Sequence, residues 1–310
     1  MTDRQRSIRF GILVILACLG LRFWATRTVP DIQANTSRSN IFTETGQKVR
    51  SLPSLVVFSP EYPAESVPAA SFASLRFGEG ELPEVTNTAA LEADLPALLT
   101  APLQWDLREA AVLILSTHAT ESYTKAGENY EESAGWRTLD EGYNMLSIGD
   151  RVEQLLTAAG ITVLRDRELH DFPSYNGSYG HARESLSRIL EDHPQIRLVL
   201  DLHRDAADGP DGKQYRPLAG DTARLMVVLG SGFSHWQENL GLALKLCAQL
   251  ERQHPGITRP IQLRRATFNQ DLSPGALLIE VGAAGNTRPE ALRAAEELAS
   301  AIIALSHGTL

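Results

Sequence analysis

Cysteine is nearly absent: 310 residues contain two, Cys18 and Cys247. One lies in an apolar N-terminal segment and the other in a helix-period stretch far along the chain. They cannot pair across a membrane interface, which excludes a disulfide framework. A basic surplus is missing too, since 29 Lys and Arg against 38 Asp and Glu leave a net charge of −9. Nucleic acid is therefore not an expected partner, because phosphate backbones are bound by basic surfaces. A neutral or mixed-charge polymer remains compatible. The sequence shows no internal repeat, and the N-terminal apolar run is short of the roughly 20 residues that a full transmembrane helix needs.

That run is Phe10 to Leu21, 12 residues reading "FGILVILACLGL". Arg4, Arg6 and Arg9 precede it, and Arg22, Phe23 and Trp24 follow. If Arg9 and Arg22 snorkel to the two interfaces, Ile8 to Ala25 can cross a thin bilayer. No small-x-small cleavage site follows, so residues 1–27 read as an uncleaved anchor rather than a removed signal. The basic residues ahead of the run keep the N-terminus inside and place the rest on the extracytoplasmic side of the cell membrane. Cys18 is then a lipid-facing residue. Residues 28–94 are rich in Pro, Ser, Thr and Glu ("SPEYPAESVPAAS", "FGEGELPEVTNT") and read as a largely extended spacer with one strand-like run, Leu55 to Phe58.

From residue 95 the pattern becomes regular. Apolar runs of strand length stand at 111–117, 161–165, 197–202, 224–230, 261–264 and 276–282. Helix-period segments such as "NMLSIGDRVEQLLTAAG", "WQENLGLALKLCAQLERQH" and "TRPEALRAAEELASAIIAL" separate most of them. Apolar strands alternating with helices predict one α/β domain over 95–310, a mostly parallel sheet with helices on both faces. In such sheets ligands sit outside the carboxyl ends of the strands.

Three strand ends carry groups that suit one another. The first ends at His118, the third at His203 in "LVLDLHRDA", and the last runs into Glu280 in "ALLIEVG". Glu121 follows His118 at His-x-x-Glu spacing. Two imidazoles and a carboxylate make a three-ligand zinc site with a position open for water. A further carboxylate must then move protons, and Glu280, flanked by apolar residues, suits that role. Each residue alone has a plainer reading: a strand-end histidine as a hydrogen-bonder, Glu121 as a first-turn helix acid. Glu280 has no such cheap alternative.

The segments "STHATESY", "NMLSIGD", "HDFPSYNGSYGHARES", "DLHRDA", "FNQDLSPGALLIEVG" and "AAGNT" resemble, in order, the motifs of the stage II sporulation protein P family, over about residues 94 to 305. The resemblance implies a membrane-anchored, zinc-dependent peptidoglycan hydrolase with a zinc amidase or carboxypeptidase-like fold. The expected activity is that of an N-acetylmuramoyl-L-alanine amidase, with endopeptidase action as an extension, in wall remodelling such as sporulation engulfment alongside a lytic transglycosylase. Carried over, His118 and His203 are metal ligands and Glu280 is catalytic. The third ligand is Glu121 by its spacing, or Glu141, which stands where the cell-wall amidases place one. Arg204, His170, Tyr175 and Asn269 are candidate substrate-binding residues. The family often reads His-Thr-His at the first strand end, whereas this chain has Ser116 at the first of those positions. That departure keeps a non-catalytic peptidoglycan-binding homologue as an alternative, and a membrane-tethered zinc carboxypeptidase is a third reading.

Overall fold

The computed structural model describes residues 70–71, 76–77, 80–81 and 83–306, apart from 104–105, 107–108, 134 and 210–213. The expected anchor at 1–27 and the run at 55–58 lie outside the described residues. Among the described residues, no helix is long and apolar enough to cross a membrane. The chain divides into units Met1–Ala64 and Glu65–Leu310, and everything below belongs to the second.

Its centre is an eight-stranded sheet. In chain order the strands are β1 (Ala70–Ser71), β2 (Val85–Asn87), β3 (Ala111–Leu115), β4 (Thr162–Arg165), β5 (Ile196–Asp205), β6 (Leu225–Gly230), β7 (Ile261–Arg264) and β8 (Ala276–Ala283). Across the sheet they run β1-β2-β7-β6-β8-β5-β3-β4. The four strands β4, β3, β5 and β8 are mutually parallel. β6 lies antiparallel to β8, and β7 and β2 follow β6 in direction. Among the described residues, no helix lies between β5 and β6. A parallel neighbour would need a crossover there. Val85–Asn87, in the stretch that reads as spacer, is part of this sheet, and Val85 is buried.

Helices cover both faces, unequally. Val112, Ile114, Leu198, Leu200, Leu202, Leu277, Ile279 and Val281 pack with α2 (Met145–Ala158), α4 (Trp236–Gln253) and α5 (Arg288–Ser306) in the larger core. A short α1 (Leu95–Thr100) packs on α4, where Lys245 Nζ donates to Leu98 O at 2.9 Å. The alternate residues Leu113, Leu115, Val199 and Ala276 meet Ala182 and Leu186 of α3 (Ser178–Asp192) on the opposite face. This is the two-residue period of a strand buried on both sides. Each fully buried Leu or Ile contributes roughly 1.5–3 kcal/mol. Helix α2 starts where Asn144 accepts Leu146 N at 3.0 Å and stops before Gly160, whose φ of +84° a residue with a side chain would resist.

Candidate active site

The same alternation decides what the strand ends present. Leu115, Val199 and Leu278 point to the α3 side, so Thr117, Asp201, His203 and Glu280 fall on that side as well. The strands β8, β5 and β3 are neighbours and parallel, with Glu280 in register with His203. Directly after Glu280 the β8–β5 register shifts, and Gly282 takes a φ of +73°. A bulge of this kind bends the strand and re-aims the side chains beside it.

His118, Glu121, His203 and Glu280 come together. The two imidazoles meet edge to face, ring centroids 5.2 Å apart. It is thus the histidine at 118, two places after Ser116, that stands beside His203. Glu121 is buried, and its Oε2 lies 3.9 Å from His203 Nδ1. On its other side Glu121 Oε2 accepts the backbone N–H of Arg204 at 3.2 Å, while guanidinium nitrogens of Arg137 and Arg204 lie 3.6 and 3.9 Å from Oε1. Burial raises the Glu121 pKa, but Arg204, His118, His203 and Arg137 outweigh it and hold the carboxyl below its ordinary value. It is an anion.

The other three are tuned in different directions. Burial lowers His118 to about 4, a neutral ring at physiological pH. Burial acts the same way on His203, but the Asp201 carboxylate, then Glu121 and Glu280, more than offset it and raise that ring to about 9. Glu280 is pushed up to about 8, mainly by burial, with Asp205 and Glu121 adding to it. Such a carboxyl exchanges its proton near neutral pH, which suits general acid–base chemistry.

Buried here without a hydrogen-bond partner are His118 Nδ1, His203 Nε2, Glu280 Oε2 and Arg137 Nε. His203 Nε2 does lie 3.0 Å from Asp201 Oδ1, but off the line a hydrogen bond requires. Orphaned buried polar atoms are costly, roughly 1–3 kcal/mol each, unless something satisfies them. The two imidazoles and the Glu121 carboxylate are the donor types of a catalytic zinc site, and His118 Nδ1 is the atom of that set left without any partner, the unpaired His203 Nε2 facing Asp201 and Glu121 accepting from Arg204 N. Among the described residues, no three such side chains already close around one point. The set fits zinc in the kind of its donors.

Of the candidate substrate-binding residues, Tyr175 is at the site, stacked on His118 at 4.4 Å and 19°. Tyr179 meets the same ring edge-on at 5.5 Å. The other three turn inward. Arg204 is buried, with its guanidinium donating to the carbonyls of Ser122, Gly135 and Trp136. His170 is buried with its Nε2 3.0 Å from Asp166 Oδ2. Asn269 donates to Tyr179 O at 2.8 Å, in the first turn of α3. Glu141 lies outside the cluster, half exposed and 3.1 Å from Arg167.

Two residues without an assigned role in the motifs prove central. Asp201 accepts Thr117 N at 2.7 Å and Thr117 Oγ1 at 2.6 Å, tying the ends of β3 and β5 together while standing behind His203. Its signal was an acid two residues before a histidine on one strand, hence on one face. Arg137 reaches the site from the loop between β3 and α2, because Ser122 N and Thr138 N bond back to Trp136 O and Thr120 O at 2.8 Å. That backbone pairing sets Arg137 opposite Glu121.

A model of the family Stage II sporulation protein P (SpoIIP) matches residues 37–303. Stage II sporulation protein P of Bacillus subtilis (strain 168) is 28% identical over 217 residues, 64% of this chain and 51% of that protein. The chain thus spans about half the length of the curated relative it matches. Among solved structures, N-acetylmuramoyl-L-alanine amidase AmiC2 of Nostoc punctiforme aligns with a TM-score of 0.41 at 18% identity, covering 65% of this chain and 98% of that one. An N-acetylmuramoyl-L-alanine amidase from Clostridium difficile 630 aligns at 0.38 and 13%, covering 65% and 96%. At such scores the likeness does not extend to activity.

Proposed function

Because the chain belongs to the stage II sporulation protein P family, we propose that it is a zinc-dependent peptidoglycan hydrolase that cuts the amide between glycan strand and stem peptide. The observation that carries this reading is the convergence of His118, His203 and Glu280 at the ends of three adjacent parallel strands, each with a buried polar atom left unpaired. Zinc would be held by His118, His203 and Glu121, with peptidoglycan as substrate. When bound, it would supply Lewis acidity toward the amide carbonyl and toward water.

The chain's own residues account for the remaining steps. Glu280 Oε2 takes a proton from the attacking water and passes it to the departing amine nitrogen, so one carboxyl serves as base and then as acid. That oxygen is shielded from bulk solvent although the residue as a whole is only partly buried. Asp201 orients His203 from behind, and the Thr117 hydrogen bonds fix Asp201 in turn. Tyr175 stacked on His118 restricts that ring and walls one side of the site. Anchorage at the extracytoplasmic face by residues 1–27 would place the site against the wall, within reach of a lytic transglycosylase acting on the stripped glycan. Endopeptidase action on peptide cross-links belongs to the same proposal.

The purified chain, supplied with zinc, should release soluble peptide from insoluble peptidoglycan, and a chelator should stop the release. Mass spectrometry of the products distinguishes the bonds. Stem peptides with a free N-terminal alanine identify the amidase, whereas fragments cut within cross-links identify the endopeptidase. Binding to the wall without any released peptide would leave the non-catalytic homologue as the correct reading.

A further inference from the structure

Arg137 stands at the site with its hydrogen-bonding capacity unused. A guanidinium carries five N–H donors in a planar fork. Among the described residues, the side chain of Arg137 makes no hydrogen bond, and its Nε is buried without a partner. The nearest carboxylates are too distant for one, with Glu121 Oε1 at 3.6 Å and Asp171 Oδ2 at 3.9 Å. Asp171 is in any case engaged by Thr120 N and Oγ1, and Glu121 by Arg204 N. Arg204 offers the contrast: its Nε and Nη2 donate to three backbone carbonyls, so it has little left to give a ligand.

Position adds the rest. The Arg137 guanidinium lies 4.4 Å over the Tyr175 ring, and that ring stacks 4.4 Å from His118. The guanidinium therefore rests over an aromatic ring that itself stacks on His118, and its side chain is still 27% exposed. A partly exposed guanidinium that stands at ion-pair distance from two carboxylates but is hydrogen-bonded to neither keeps its fork of donors available to a planar anion in two parallel bonds.

We infer that Arg137 forms a carboxylate-binding subsite that holds a free carboxylate of the substrate's peptide part while the neighbouring amide is positioned at His118 and His203. The inference rests on the hydrolase reading for the identity of the ligand, though not for the existence of the subsite. It makes the protein selective for peptides whose carboxylates are unmodified, since a carboxamide offers one acceptor oxygen and no charge.

Calorimetric titration tests this with two muramoyl-peptides that differ in one respect, all peptide carboxylates free in one and converted to carboxamides in the other. The zinc-loaded full chain carrying Glu280→Gln is used so that turnover does not interfere. The acid form should bind about 10- to 100-fold more tightly, the range expected for charge-assisted hydrogen bonds. In the added presence of Arg137→Ala the ratio between the two forms should fall to about one, while Arg137→Lys should keep part of it. Equal binding of the two forms, no binding of either, or a preference that survives Arg137→Ala overturns the inference. A preference that depends on Arg137 in a chain that cleaves neither compound as wild type would sustain the subsite and refute the hydrolase.

Discussion

The two halves of the sheet are built from equally apolar strands and end in different ways. In the parallel half, β8, β5 and β3 lead to Glu280, His203 and His118. In the other half, β2, β6 and β7 run the opposite way and open onto a cavity of about 440 Å³ lined by Ala89, Leu91, Ser231, Gly232, Arg265, Ala266 and Thr267. Its one ionisable group, Arg265, donates from Nε to Ala89 O at 3.0 Å. Gly230 there packs so closely that a Cβ would come within 2.3 Å of Ala266 O. Strand ends alone do not make a site. What separates the two ends is that one gathers two histidines and two glutamates, three of them with a buried polar atom lacking a hydrogen bond, whereas the cavity at the other is lined by a single ionisable side chain that is already bonded to backbone.

That contrast can be broken from either side. The largest effect belongs to Glu280→Gln, which keeps shape and removes the proton carrier. Hydrolysis of labelled peptidoglycan should fall by about 10²–10⁴-fold with fold unchanged by circular dichroism. Full retention of rate would remove Glu280 from the chemistry. Next comes a deletion in the antiparallel half, Leu229→Ala. It should lower unfolding free energy in urea by about 2–5 kcal/mol while the folded chain keeps its zinc content. Loss of metal under native conditions would show that the halves are not separable.

Asp201→Asn tests the link behind the parallel half. Loss of the charge facing His203 should weaken zinc affinity about 10- to 100-fold, read by competition with a calibrated chelator. An unchanged affinity would reduce Asp201 to a tie between β3 and β5. The smallest effect is expected of Arg265→Ala, where one hydrogen bond to Ala89 O is lost. Stability should drop by about 0.5–1.5 kcal/mol, and hydrolysis should stay within two-fold. A large fall in hydrolysis would mean that the second cavity takes part after all.

Much of this architecture is legible in the chain itself. The runs 111–117, 197–202 and 276–282 announce strands through continuous apolar content, and each is found as one. Direction is what such runs do not carry. The run at 224–230 looks like its neighbours, yet it pairs antiparallel to β8, after a connection from β5 in which the described residues form no helix. Among site residues, His118, Glu121 and His203 are visible because strand periodicity and His-x-x-Glu spacing place them without help from distant parts of the chain. Arg137 is not visible. It sits in a polar loop, and backbone pairing with residues 120–122 alone brings it opposite Glu121. Arg204, His170 and Asn269 show the converse: strand-end and rim positions put them near the site, but their side chains meet internal carbonyls and acids.

Elemental analysis of the purified chain beside its His118→Ala and His203→Ala variants tests the central claim most directly. One zinc per wild-type chain, lost from both variants while the fold persists, is the expected result. Metal-free wild-type protein that still releases peptide, or variants that retain stoichiometric zinc, would contradict a site assembled from the ends of β3 and β5.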